Sequence, residues 1–364
     1  MNGIIKASLS KPLTVKEDKK EKVLYLPGNG SHFNMALIFA ETSKYDGYIY
    51  ANGYDVIARN YIKNNSSSKV KFFLTESSVA DFLPIIDKVV VFYGSVTQFS
   101  MSNFKRIILA CLKTKKPMYE VPHGLFQSGQ NLIDNSNLID TNSYYDGIGE
   151  NLPSLTNIKL SWSGDDGFGY PRTALMEKYH ERVLPKFTLI TSNTNWFLYS
   201  QSDKRRFYKE IFDYAEKNSD EIFIWCPHPA ELMPDTFSFA AMDFKPNNFL
   251  LYGLHNDIYF HGIEGTDDLI PYCEYGISTV TTCLLDYEMH SKRVNVFNCS
   301  GVENLISEFE SASSFYNAEE IKNDAKEIKT GLLKSYDSNK FDSLLSQNVD
   351  ESSFKNSHYL ASFI

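Results

Sequence analysis

FYKEIFDYAEKNSDEIFIWCPHPAEL, residues 207 to 232, carries the pattern that decides the fold. Its first half, Phe207 to Glu221, has helical spacing. Ile222-Phe223-Ile224-Trp225 then forms an unbroken apolar run, which reads as a strand buried on both faces. The run stops at Cys226-Pro227-His228-Pro229, where two prolines bracket one histidine.

The alternation extends in both directions. Upstream, strands are expected at 23–26, 47–51, 70–74, 89–93 and 118–121, with helices between them, including 32–42 and 103–113. A loop-rich middle, about 125–180, is dense in Asn, Ser, Gly and Asp. A second series follows, with strands at 188–191, 221–225, 257–260, 275–278 and 294–297 and helices at 202–217, 267–273 and 282–290. Alternating strands and helices argue for parallel sheets covered on both faces. The expected organisation is a polar lead-in over 1–20, a Rossmann-like domain over 21–182, a second over 183–300, and C-terminal helices over 301–364. Two such α/β domains of similar size suggest the GT-B architecture, with a cleft between them and ligands outside the C-terminal ends of the strands.

The 364 residues are 43% hydrophobic and 14% aromatic, enough for two cores. A net charge of −9 without a basic stripe argues against nucleic acid as a partner. The five cysteines are odd in number and form no CxxC, as in a reduced, cytoplasmic protein. The first 22 residues lack the apolar run of a signal peptide, and no transmembrane helix is expected. Peripheral attachment to a membrane surface stays open.

Several stretches can carry chemistry. Proline rings restrict the backbone around His228, so its imidazole is held at low entropic cost past a strand end. It can there donate to a phosphate oxygen or move a proton, or it can simply close a tight turn. Pro122-His123-Gly124 repeats the context in the first half, and Gly124 permits close backbone approach. In Tyr275 to Thr282, a strand feeds hydroxyls into a helix start, where free N–H groups suit phosphate, though Ser and Thr also cap helices with no ligand at all. Asp165-Asp166-Gly167 offers paired carboxylates for a base or a metal, or a solvated turn. His32 and Glu264 are lesser candidates. No histidine spacing marks a metal site and no dinucleotide fingerprint is present, so neither metal nor cofactor is expected.

Taken in order, these stretches resemble the CDP-glycerol glycerophosphotransferase family of teichoic-acid and capsule polymerases. The resemblance runs from about 120 to 300. It rests on His123-Gly124, Gly169-Tyr170-Pro171-Arg172, Pro227-His228-Pro229 and the stretch Glu274 to Tyr287. Thr279 stands where that family usually has Asp, Thr281-Thr282 replaces a Ser pair, Cys226 replaces an Arg, and Ala174 sits where an Asp often follows. The sequence is also similar, over shorter motifs, to bacterial GT-B transferases that use CMP-sugars of the sialic acid or Kdo type. Asp165-Asp166-Gly167, His228-Pro229 and Ser278-Thr279 would fill the roles there.

The first resemblance implies transfer of a polyol phosphate or related group from a cytidine-nucleotide donor to a hydroxyl of a glycan or lipid-linked glycan. It places the acceptor side in the first domain and the donor in the second, at the inner face of the membrane. His123 would be the base and His228 would stabilise the donor phosphates. Pro229, Ser278, Thr279, Thr281, Thr282 and Glu264 would line the donor site, with Gly124 and Arg172 assisting. The second resemblance makes Asp166 the base. A third reading is a non-catalytic nucleotide-binding subunit of a polymer-assembly complex, motivated by Thr279 and Cys226.

Overall fold

The structure, a computed structural model, describes residues 4–5, 20–92, 103–122, 124, 126–127, 130–131, 155–162, 165–178, 182–194, 199–234, 236–253, 256–263, 265–298, 313–321 and 325–354. In chain order the strands are β1 Ile4–Ile5, β2 Lys22–Leu26, β3 Asp46–Tyr50, β4 Lys71–Phe73, β5 Lys88–Val91, β6 Met118–Glu120, β7 Phe126–Gln127, β8 Gln130–Asn131 and β9 Ile158–Lys159. They continue as β10 Thr188–Ser192, β11 Phe223–Pro227, β12 Phe249–Leu251, β13 Tyr275–Ser278, β14 Arg293–Phe297, β15 Ser313–Phe315 and β16 Lys326–Glu327.

The chain divides into two compact units, one of 1–123, 147–174 and 334–364, the other of 124–146 and 175–333. In the first, the sheet order is β1-β4-β3-β2-β5-β6-β9, parallel except for β1, which pairs antiparallel with β4. Thus Ile4–Ile5, within the segment expected to be a polar lead-in, forms an edge strand. The inner strands are buried along nearly their whole length, as a sheet covered on both faces requires. The helix Gly30–Thr42 starts where the Asn29 side chain accepts the His32 N–H at 2.9 Å.

The described C-terminal residues belong to this first unit. Phe341, on the helix Ser338–Leu345, stacks on Phe39 with ring centroids 4.3 Å apart. Asp342 accepts from Ser43 Oγ at 2.5 Å and from the Lys44 N–H at 2.8 Å. The rest of the segment expected to be C-terminal helices contributes β15 and β16 to the second unit.

The second unit's sheet runs β12-β11-β10-β13-β14-β15, all parallel, and β16 joins β14 antiparallel. Its longest helix, Gln201–Lys217, opens with a capping box in which Ser200 and Asp203 satisfy each other's backbone N–H. One local reading changes. The segment 257–260, expected to be a strand, is a loop with one bridge at Ile258, and the neighbouring strand is β12. The Asp257 carboxylate explains this by folding back to accept the Leu251 N–H at 2.8 Å and to pair with Lys245 at 2.7 Å. In both sheets the central order reads outward in two directions from β2/β5 and from β10/β13, and that reversal is where open α/β sheets bind ligands.

Candidate functional site

In the second unit the reversal brings together the ends of β10 and β13, with β11 beside them. Past β10, the Asn193 N–H donates to Thr279 Oγ1 at 2.9 Å, and Thr279 N–H donates to Thr191 O at 3.1 Å. These bonds clip the two strand ends together. Thr191 Oγ1 donates to Ser278 Oγ at 2.7 Å, and Ser278 Oγ donates to Thr279 O at 2.8 Å. Ser278 and Thr279 are both fully buried, so the hydroxyls expected to meet a ligand build the floor of the crevice. Thr281 and Thr282 are half-buried at the start of the short helix Cys283–Met289, and the Thr282 side chain does not cap it.

Past β11, the Pro-His-Pro turn is held by one buried acid. Glu231 is fully buried, and its two oxygens accept from Ser192 Oγ at 2.7 Å, Thr194 N–H at 2.7 Å, His228 N–H at 3.0 Å, Tyr208 OH at 3.0 Å and Ser238 Oγ at 3.2 Å. Thr194 Oγ1 donates to it as well. Ser192 Oγ in turn accepts from Trp225 Nε1 at 2.9 Å. A carboxylate only accepts, and here every neighbour can donate, so the buried charge is compensated. The effect is to fix the backbone of His228, whose N–H also donates to Ser192 O at 2.9 Å. The His228 residue itself is exposed. Desolvation lowers its pKa, and the Glu231 charge opposes that shift. An imidazole in this position can donate to an anion or transfer a proton.

Pro229 opens the one-turn 3-10 segment Pro229–Leu232 that brings Glu231 back under the loop. Cys226, where the polymerase-like pattern has Arg, is half-buried. Thr266 Oγ1 donates to its thiol at 3.0 Å, and burial pushes that thiol up to about 11, so it carries no charge near the turn. His123 and Glu264 lie outside the described residues.

The remaining candidates fall in the first unit, apart from Gly124, which is buried and grouped with the second. Arg172 is half-buried and donates to Ser31 Oγ at 3.1 Å, at the start of the helix that follows β2. His32 is buried there: its Nδ1 accepts the Gly28 N–H at 3.1 Å and its ring stacks on Phe92 at 5.0 Å, a structural role. Asp165 and Asp166 are exposed in a turn, and Asp165 lies 3.6 Å from Lys334 Nζ. Gly-Tyr-Pro-Arg is chiefly a clasp for the C-terminal segment. Gly169 has φ +85°, and a Cβ on it would sit 2.1 Å from Ser335 O. Tyr170 bridges to Ser335 and donates its N–H to Lys334 O at 2.9 Å.

One cluster went unmarked in the sequence. Ligand atoms of Asp267, Cys283 and Asp286 all lie within 4.8 Å of one another, with Asp286 buried, a set able to close on a cation. Cys283 and Asp286 stand one helical turn apart, but Asp267 comes from the preceding helix, and together they form no ligand-spacing motif. Glu231 was missed for a different reason. It stands three residues after His228, the spacing of a capping box, but no apolar run followed to flag it. Among the described residues no helix is long and apolar enough to cross a membrane.

No protein-family model matches the sequence, and no curated protein matches it. Solved structures do. A UDP-GlcNAc 2-epimerase from Neisseria meningitidis bound to UDP-GlcNAc is similar over 94% of this chain and 98% of that one, at 14% identity and a TM-score of 0.50. A UDP-GlcNAc 2-epimerase from Methanocaldococcus jannaschii covers 94% and 98% at 12% identity and 0.49, and the glycosyltransferase SnogD from Streptomyces nogalater covers 79% and 84% at 14% and 0.39. The fold statement rests on the first: with its two parallel sheets, this chain is an α/β protein of two Rossmann-like domains of the GT-B type.

Proposed function

We propose that this chain is a transferase of bacterial surface-polymer synthesis that takes its donor as a cytidine nucleotide. It moves a polyol phosphate or glycosyl group to a hydroxyl of a glycan or lipid-linked glycan, as the teichoic-acid and capsule polymerases do. The observation that carries this reading is His228. A histidine whose residue is exposed sits at the C-terminal edge of a parallel sheet, beside the strand-order reversal, on a backbone fixed by two prolines and a buried glutamate. His228 stabilises charge on the donor phosphates as they separate, and Thr281 and Thr282 border that position. Pro229 holds the turn, while Ser278 and Thr279 shape the floor. Glu264, Arg172 and Gly124 keep the supporting donor-side roles given by resemblance. His123 is the base that removes the acceptor proton. The chain works in the cytoplasm, and peripheral attachment at the inner face of the membrane stays open.

The test is turnover of CDP-glycerol and of CMP-sialic acid by wild type, His123→Ala and Asp166→Ala. A general base contributes about 10²–10⁴-fold, so His123→Ala should fold and lose most activity. Loss in Asp166→Ala alone, with CMP-sugar consumed, supports the CMP-sugar reading, which the exposure of Asp166 permits. Nucleotide binding without any donor consumption supports a non-catalytic subunit.

A further inference from the structure

The helix after β10, Gln201–Lys217, carries three consecutive cationic residues just after its Gln201-Ser202-Asp203 start, Lys204-Arg205-Arg206. Their surroundings differ. Arg205 and Arg206 are exposed, and the Arg206 guanidinium lies over the Tyr316 ring at 4.2 Å. Lys204 is half-buried. It stands one helical turn before Tyr208, whose hydroxyl donates to Glu231 at 3.0 Å, so it lies on the face turned toward the Pro-His-Pro turn. The Tyr208 hydroxyl and the His228 N–H bond the two oxygens of the same Glu231 carboxylate, so the helix face that carries Lys204 and Tyr208 meets the Pro-His-Pro turn there; Glu231 is also the charge that acts on both Lys204 and His228.

The Lys204 ammonium nevertheless makes no hydrogen bond and no ion pair among the described residues. The Glu231 oxygens are already taken by hydroxyl and backbone donors. A cation partly removed from water with no acceptor costs free energy, and a neutral side chain of the same length would avoid that cost. Desolvation indeed favours its neutral form. A helix that follows a strand of a parallel sheet starts beside the crevice where such sheets bind ligands, and Lys204 lies near that start on the face it shares with Tyr208. An anion bound there would supply what Lys204 lacks.

We propose that Lys204 is a diphosphate ligand, pairing with His228 to form a two-point anion site at the ends of β10 and β11. The ammonium takes a non-bridging oxygen as a point charge, and the imidazole donates to a second one. The anion site stands on the geometry above. Its assignment to a nucleoside diphosphate rests on the reading under Proposed function.

The experiment is isothermal titration of the full chain with inorganic pyrophosphate, CDP and cytidine, on wild type, Lys204→Met and Lys204→Arg, with a melting curve for each. Removing a charged hydrogen bond should weaken pyrophosphate and CDP roughly tenfold or more in Lys204→Met. Lys204→Arg should keep most of that binding, and cytidine should be unaffected. Lys204→Met should melt at or above the wild-type temperature, because it removes an unpartnered charge. Wild type that fails to bind pyrophosphate at millimolar concentration, equal pyrophosphate binding by Lys204→Met, or a melting point several degrees lower in that variant would each overturn the site. Lys204-dependent pyrophosphate binding with no gain from any nucleotide keeps the site and overturns the nucleotide reading. CDP binding indifferent to Lys204 does the reverse.

Discussion

Glu231 offers the sharpest structural prediction. Replacing it by Gln keeps the shape but turns one acceptor oxygen into an NH₂ group. On one side that group would face Thr194 N–H, which cannot rotate and has Glu231 as its acceptor. On the other it would face Ser192 Oγ, committed to Trp225 Nε1, and His228 N–H, which keeps Ser192 O as a second acceptor. The amide will choose the second side, and the cost is one donor–donor conflict plus loss of charge assistance, about 1–3 kcal/mol. Glu231→Leu is harsher. It orphans the Thr194 N–H and the Ser192 hydroxyl in a dry site, for a total of about 4 kcal/mol or more. The assay is urea unfolding followed by circular dichroism, with Trp225 fluorescence reporting on the network itself. Glu231→Gln within about 0.5 kcal/mol of wild type, or Glu231→Leu no worse than Glu231→Gln, would refute the reasoning.

Three further outcomes are expected. Gly276→Ala places a Cβ 2.3 Å from the buried Tyr287 ring and should cost about 3 kcal/mol in the same urea assay. Gly169→Ala, strained at φ +85° and colliding with Ser335 O at 2.1 Å, should loosen residues 334–354, read as faster limited proteolysis there. His290 is held at about 4 by burial and Lys292, against 6.5 for a free imidazole. The unfolded chain therefore takes up a proton that the native state refuses, and stability falls as pH drops from about 6.5 toward about 4. His290→Gln should flatten that part of the melting-temperature profile, and an unchanged slope would remove His290 as its source.

The alternation of apolar runs and helical spacing was legible because both sheets are parallel and covered, so each inner strand is apolar along its length. Turn chemistry made Pro-His-Pro visible at a strand end. What stayed hidden is non-local. Nothing near Phe341 announces that it stacks on Phe39, so the return of the C-terminal segment to the first unit could not be read. Ser278 and Thr279 were placed correctly along the chain, yet which hydroxyls face inward depends on how β13 pairs with β10. Lys204 carries no sequence signal of its own, and only the packing of Tyr208 against Glu231 shows which face it shares. The strand expected at 257–260 failed because one carboxylate, Asp257, found better partners in Leu251 N–H and Lys245 than a ladder would give.

The central claim is that a cytidine nucleotide binds at the end of β11 with its phosphates on His228. Isothermal titration with CDP, CMP and UDP, on wild type and His228→Ala, tests it most directly, UDP serving as the competing pyrimidine diphosphate. The account predicts that CDP binds tightest to wild type and loses roughly tenfold or more in His228→Ala, with the melting point unchanged. Equal CDP binding by both proteins, or no binding of any of the three by wild type, would contradict it and leave His228 as a residue of the turn alone.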